Sequence, residues 1–198
     1  MTAASGPLAF SSMFPLNVPN VLTVVRILLV PVLVVALLEK TGGGDLLAAV
    51  VFAIASLTDA IDGYLARARN SVTTFGKLMD PIADKLLIIA ALVVLVSLGR
   101  LEAWVAMVII AREFAVTVLR VAVGTQQGVV ISASSFGKLK TAFQVAMVIC
   151  LIAVHGHPLW LQLLIFATVV VTVLSGADYF FGVRRGVDAR GPAQRQGT

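Results

Sequence analysis

The chain has 198 residues, 59% of them hydrophobic and only 13% charged, with a mean hydropathy of +1.01. That composition excludes an ordinary soluble domain, and six apolar spans of about 20 residues joined by short loops would use nearly the whole length. The net charge of +5 and pI near 9.9 do not signal nucleic acid, because Lys and Arg stand at the ends of apolar runs with few aromatics among them; an anionic membrane face is the better partner.

Residues 1–20 lack the basic start and cleavage site of a secretory signal and read as an interfacial segment, with Phe10, Met13, Phe14 and Leu16 bedded in a membrane surface. The first span is expected over Val21 to Leu38, with Asn20 as N-cap and Pro31 as a kink. Arg26 in that span either snorkels to the headgroups or faces an internal polar cavity. Glu39 to Asp45 is a turn, and the second span runs from Leu46 to about Arg67. A polar loop over Asn70 to Thr74 leads to the third span, Phe75 to Leu98, after which Gly99 to Glu102 turns the chain again.

The densest chemistry straddles the second and third spans. In a helix over Val50 to Arg67, residues Asp59, Asp62, Gly63 and Ala66 fall at i, i+3, i+4 and i+7 on one face, with Arg67 a turn beyond Gly63. Asp80 and Asp84 repeat the arrangement on the next helix, where Pro81, near the helix start, fixes the approach of Asp80. Two helices that each aim a pair of carboxylates at a common space make a site for a hard cation, since the carboxylates would otherwise repel and raise one another's pKa. Gly63 and Gly76 leave room for a ligand, and Arg67 offers a planar fork suited to a phosphate. A charged surface hairpin would not need this mixture of spacing, small residues and apolar frame.

The fourth span, Ala103 to Val123, carries Arg112 and Glu113 near its middle, either as an ion pair or facing a polar space, with Arg120 close to the same face as Arg112. A loop from Gly124 to Ser135 follows. The fifth span opens with SFGKLKT, Ser135 to Thr141, echoing TFGKLMD at Thr74 to Asp80; where the earlier segment supplies a carboxylate, the later one supplies Lys140, which suits a phosphate. Cys150, the single cysteine, lies in an apolar run and reads as packing. His155 and His157 read as a polar turn, lacking the further ligands a metal needs. Leu159 to Gly176 is the sixth span, residues 21–183 form one domain, and residues 184–198 are a basic, loosely ordered tail. Basic residues gather around two loops and the tail, against Lys40 and Arg100 on the other side, so both termini and the carboxylates are expected to face the cytoplasm.

Asp59-x2-Asp62-Gly63-x2-Ala66-Arg67-x8-Gly76-x3-Asp80-x3-Asp84 resembles the complete signature of the CDP-alcohol phosphatidyltransferases. The resemblance implies an all-α, polytopic membrane enzyme of six transmembrane helices, usually a homodimer, that cleaves a CDP-activated lipid with two divalent ions, Mg2+ or Mn2+. Carried over position by position, Asp59, Asp62, Asp80 and Asp84 match the metal-binding set, and Asp84 also the general base. Gly63, Ala66, Arg67 and Gly76 match nucleotide-binding positions, with Arg67 toward the diphosphate. Asn20 and Thr23 match polar positions near the nucleotide in the family's glycerophosphate-using branch, although both residue types also serve as caps.

Ile110-Ala-Arg-Glu-Phe114, Leu119-Arg120 and Gly137-Lys138-x-Lys140 resemble that same branch. The implied substrates are therefore CDP-diacylglycerol and sn-glycerol 3-phosphate in a bacterial cytoplasmic membrane. Arg112, Arg120, Lys138 and Lys140 would supply the cations that a phosphomonoester needs beyond the metals. Inositol phosphate makes the same demand and stands as the alternative acceptor. A transporter would need polar residues continuing toward Lys40 and Arg100, where the outer halves of the spans are almost wholly apolar. An inactive scaffold is at odds with the intact motif.

Overall fold

A computed structural model describes residues 18–39, 43–69, 74–127 and 135–188, with side chains at 18–20, 22, 59–69, 74–84, 121, 123–127, 135–136 and 184–188 outside that description. The described residues are helical apart from short turns: α1 (Val18–Leu38), α2 (Gly44–Arg69), α3 (Thr74–Ser97), α4 (Ala103–Gln127), α5 (Ser135–Ala153) and α6 (Leu159–Asp188). The interfacial segment expected before residue 18, most of the loop before Ser135 and the tail beyond Asp188 lie outside the described residues.

Three boundaries differ from expectation by three residues or more. Helix α1 begins at Val18, so Asn20 sits inside its first turn instead of capping it. Pro19 is tolerated there because the first amides of a helix have no intrahelical acceptor to lose. Helix α4 runs past Val123 to Gln127, and α6 runs past Gly176 to Asp188, into the stretch expected as tail. Each interior glycine costs only about 1 kcal/mol relative to alanine, too little to stop a helix that continues favourably on both sides.

Each unit exposes large apolar side chains. Leu28 on α1, Leu57 on α2, Met107 on α4 and Phe166 on α6 are each more than half exposed. Such surfaces suit a hydrocarbon solvent and not water. Among the described residues, Leu159–Val183 is long and apolar enough to cross a bilayer, and Thr23–Leu38, Gly44–Thr58 and Lys85–Ser97 form shorter apolar stretches.

Contacts divide the chain into two units, Met1–Ala90 and Ala91–Thr198. In the first, α1 packs along α2. Leu33, Ala36 and Leu37 of α1 and Ala48, Phe52 and Ala55 of α2 are buried at helical spacing. The small residues matter because helices in lipid associate by close packing, without help from water exclusion. Gly44 lets α2 start tight against the end of α1: a Cβ there would lie 2.7 Å from the Ala36 carbonyl oxygen and 2.8 Å from that of Glu39. Both are backbone atoms and cannot swing aside. Gly44→Ala is expected to lower stability by roughly 1–3 kcal/mol, read as a fall in Tm in detergent; an unchanged Tm would contradict this close approach.

In the second unit, α6 packs against both α4 and α5. Its apolar core includes Leu92, Leu95, Val105, Ile109, Met147, Leu151, Ile152 and Leu161. Helix α3 ends in a left-handed glycine cap: Gly99 has φ 68°, its N–H donates to the Val96 carbonyl, and the Arg100 N–H donates to that of Leu95. Arg100 then ties this turn to the next hairpin. Its Nη1 donates to the Ile152 carbonyl at 3.1 Å, in the last turn of α5, and its Nη2 lies 3.2 Å from His155 Nε2. A guanidinium on that nitrogen disfavours a metal cation in the same place, and the His155–His157 segment serves as a polar turn, with Gly156 at φ 97°.

Candidate functional site

The backbone carries the signature residues on two consecutive helices. Asp59, Asp62, Gly63, Ala66 and Arg67 lie in the C-terminal part of α2, and Gly76, Asp80 and Asp84 in the N-terminal part of α3. Their side chains fall outside the described residues, as does that of Asn20 on α1. The helical register nonetheless puts Asp62 one turn after Asp59, and Asp84 one turn after Asp80. The four donors are all carboxylates, a set that fits a hard divalent cation such as Mg2+ and does not fit a thiol- or imidazole-preferring metal. Among the described residues no three His, Cys, Asp or Glu side chains gather.

Thr23 and Arg26, one turn apart on α1, are both buried at 3% and 4% exposure. Arg26 therefore faces inward and does not reach out to the surface. An arginine at that depth requires polar surroundings.

The second unit contains a buried polar cluster built by three helices. Glu113 of α4 is the hub. Its Oε1 accepts from Arg112 Nη1 at 3.2 Å and pairs with the Lys140 ammonium of α5. The three side chains are 13%, 6% and 9% exposed for Arg112, Glu113 and Lys140. Helix α6 completes the cluster: Arg112 Nη2 donates to Ser175 Oγ at 2.7 Å. One turn further along α5, Gln144 Nε2 donates to Thr172 Oγ1 at 3.4 Å, and Thr168 Oγ1 donates to the Leu164 carbonyl at 2.7 Å. The cluster brings two cations and one carboxylate together, and the buried Arg112 Nε has no hydrogen-bond partner. A donor-rich cluster of this kind is suited to an oxyanion.

Arg120 and Lys138 stand apart from that carboxylate. The Arg120 guanidinium lies over the Tyr179 ring, 5.5 Å from its centroid, an arrangement that holds a cation by the ring's quadrupole. Lys138 is exposed. Its place two residues before Lys140 turns it to a different side of α5. An apolar pocket lined by residues such as Val93, Val96, Ala106 and Met107 offers no group for recognising phosphate or nucleotide.

Reading the chain residue by residue did not single out Ser175, Thr172, Thr168 or Gln144. A signal was present: Thr168, Thr172, Ser175 and Tyr179 recur at i, i+4, i+7 and i+11 along an otherwise apolar helix. That is one polar stripe, and the structure buries Thr168, Thr172 and Ser175.

Comparison with known proteins adds an independent line. Residues 16–174 match the family described as CDP-alcohol phosphatidyltransferase. The chain is similar to the CDP-diacylglycerol--glycerol-3-phosphate 3-phosphatidyltransferase of Bacillus subtilis (strain 168), with 43% identity over 183 residues covering 83% of this chain and 93% of that protein. It is also 43% identical over 170 residues to a protein of Mycobacterium tuberculosis (strain H37Rv) named "Probable phosphatidylglycerophosphate synthase", covering 82% of this chain and 79% of the relative. A Rickettsia felis protein with the same name as the Bacillus one is 35% identical over 170 residues, covering 83% of this chain and 93% of its own.

Proposed function

This chain belongs to the CDP-alcohol phosphatidyltransferase family, and on that premise we propose that it transfers the phosphatidyl group of CDP-diacylglycerol to a hydroxyl of sn-glycerol 3-phosphate, giving phosphatidylglycerophosphate and CMP. The names carried by its relatives support both substrates. The observation that carries the acceptor choice in this chain is the buried Arg112–Glu113–Lys140 group, whose guanidinium and ammonium donors suit a phosphomonoester. An uncharged acceptor such as inositol, or a cationic one such as choline, would leave those donors without a task.

Asp59, Asp62, Asp80 and Asp84 would hold two divalent ions, Mg2+ or Mn2+. When bound, those ions neutralise the diphosphate of the CDP-lipid and the charge that builds up on departing CMP. Arg67 donates to the diphosphate, while Gly63, Ala66 and Gly76, with Asn20 and Thr23, accommodate the nucleotide. Arg112 and Lys140, with Arg120 and Lys138 as further cations, hold the acceptor's phosphate so that its hydroxyl is presented for attack. Asp84 takes the hydroxyl proton. The oxygen then forms a bond to the phosphatidyl phosphorus as the bridging P–O bond breaks, and the electron pair leaves with CMP. The protein is membrane-associated, as its family is. The fuller arrangement we propose is six spans, a homodimer, and a site facing the cytoplasm of a bacterial inner membrane.

The test is CMP release by purified protein in detergent, with CDP-diacylglycerol and a panel of acceptors. Glycerol 3-phosphate is expected to be used and plain glycerol not. Arg112→Ala is expected to raise the acceptor KM at least about tenfold, the scale of losing a charge-assisted hydrogen bond, with a much smaller effect on the KM for CDP-diacylglycerol. If inositol phosphate outcompetes glycerol 3-phosphate, the acceptor assignment is wrong while the family assignment stands.

A further inference from the structure

A flexible lysine and a long arginine bind a small phosphate well only if their positions are set before it arrives, because each side chain otherwise loses its rotamer freedom on binding. Three neighbours fix them here. Glu113 reaches across from α4 to the Lys140 ammonium of α5 and also takes Arg112 Nη1 at 3.2 Å. Ser175 of α6 takes Arg112 Nη2 at 2.7 Å. Gly176, next to it, lets the Arg112 stem lie against α6: a Cβ added there would sit 3.2 Å from Arg112 Cγ and 3.6 Å from its Nε.

Glu113 and Ser175 are 5% and 1% exposed. Burying a carboxylate so deeply is costly unless it is paired, and breaking such a pair leaves a lone buried charge. Glu113 is therefore tied to both cations and cannot drift from either without exposing one. The cluster thus stays ordered in the free protein, with the Arg112 Nε still able to donate to an anion.

We propose that Glu113, Ser175 and Gly176 are positioning residues for the acceptor, holding Arg112 and Lys140 at the separation that receives a phosphomonoester. This rests on the acceptor reading given above. None of the three is required to touch substrate: Glu113 sets the spacing between the cations, Ser175 the orientation of the guanidinium, and Gly176 the path of its stem.

The experiment compares Glu113→Gln, Glu113→Asp, Ser175→Ala and Gly176→Ala in full-length protein, varying glycerol 3-phosphate and CDP-diacylglycerol separately. Inorganic phosphate serves as a competitor of the acceptor. Glu113→Gln keeps the size and removes the charge, and is expected to raise the acceptor KM and the phosphate inhibition constant together by about 10- to 100-fold. The KM for CDP-diacylglycerol should stay within about twofold. Glu113→Asp, which keeps the charge, should recover part of that loss. Ser175→Ala and Gly176→Ala should raise the acceptor KM by about 3- to 10-fold, the scale of one neutral hydrogen bond or a small displacement.

A purely structural role predicts a lower Tm with an unchanged acceptor KM, or equal changes in both KM values, and either result overturns the proposal. Should Glu113→Gln fail to fold, Ser175→Ala and Gly176→Ala decide: wild-type acceptor KM in both rejects positioning. Arg112→Ala separates the two levels of inference. If it raises the acceptor KM while Glu113→Gln and Ser175→Ala do not, positioning is wrong and the acceptor site stands; if Arg112→Ala itself changes nothing, the acceptor reading has failed.

Discussion

Asp59→Ala and Asp80→Ala are each expected to cut CMP release by at least about a thousandfold, equivalent to roughly 4 kcal/mol of lost transition-state stabilisation. The reason lies in the donor set. Asp59 and Asp62 sit one turn apart on α2, and Asp80 and Asp84 one turn apart on α3. Carboxylates in such pairs oppose one another's ionisation unless a cation neutralises them, so removing one donor would loosen the hold on an ion bound by the proposed set. Chelation should have the same effect on the unaltered protein, with activity returning on addition of Mg2+ or Mn2+. Both variants should keep their helix content and elute as the parent does, because the described apolar packing of α1 against α2 is made by Leu33, Ala36, Leu37, Ala48, Phe52 and Ala55. Full turnover in chelator would reject the divalent-ion reading.

Asp84→Asn separates two roles. The amide keeps the side chain's size and one oxygen but cannot take a proton. If Asp84 is the general base, CDP-diacylglycerol should bind at near-parental affinity while kcat falls by at least about a hundredfold, the usual scale for losing general base catalysis. If Asp84 is chiefly a metal ligand, ion and CDP-lipid binding should weaken together. CDP-lipid binding and single-turnover CMP release on the same variant distinguish these outcomes, and near-normal turnover would reject both roles.

The sequence by itself determined the helical class, the approximate extent of each helix and the signature on α2 and α3. All of these are local: a run of apolar residues fixes a span, and a motif confined to two consecutive helices keeps its spacing whatever the rest of the fold does. Boundaries were less legible where glycine and proline stand inside a helix. Pro19, Gly124 and Gly176 suggested ends that the structure does not have. Their local penalties are smaller than the gain from continuing the hydrogen-bond ladder along the helix.

The fate of the charges was decided only by the tertiary structure. Arg112 and Glu113 are neighbours in sequence, but Lys140 lies 27 residues from Glu113 and Ser175 lies 63 from Arg112. No periodicity assigns those partners. Arg26 likewise had two open orientations until its burial excluded the surface one. The physical reason is the flatness of the apolar pattern: when nearly every face of a helix is hydrophobic, composition does not say which face meets lipid and which meets protein. Only the packing of α6 against α4 and α5 brings Ser175 to Arg112 and Lys140 to Glu113, and makes two cations and a carboxylate into a single buried group.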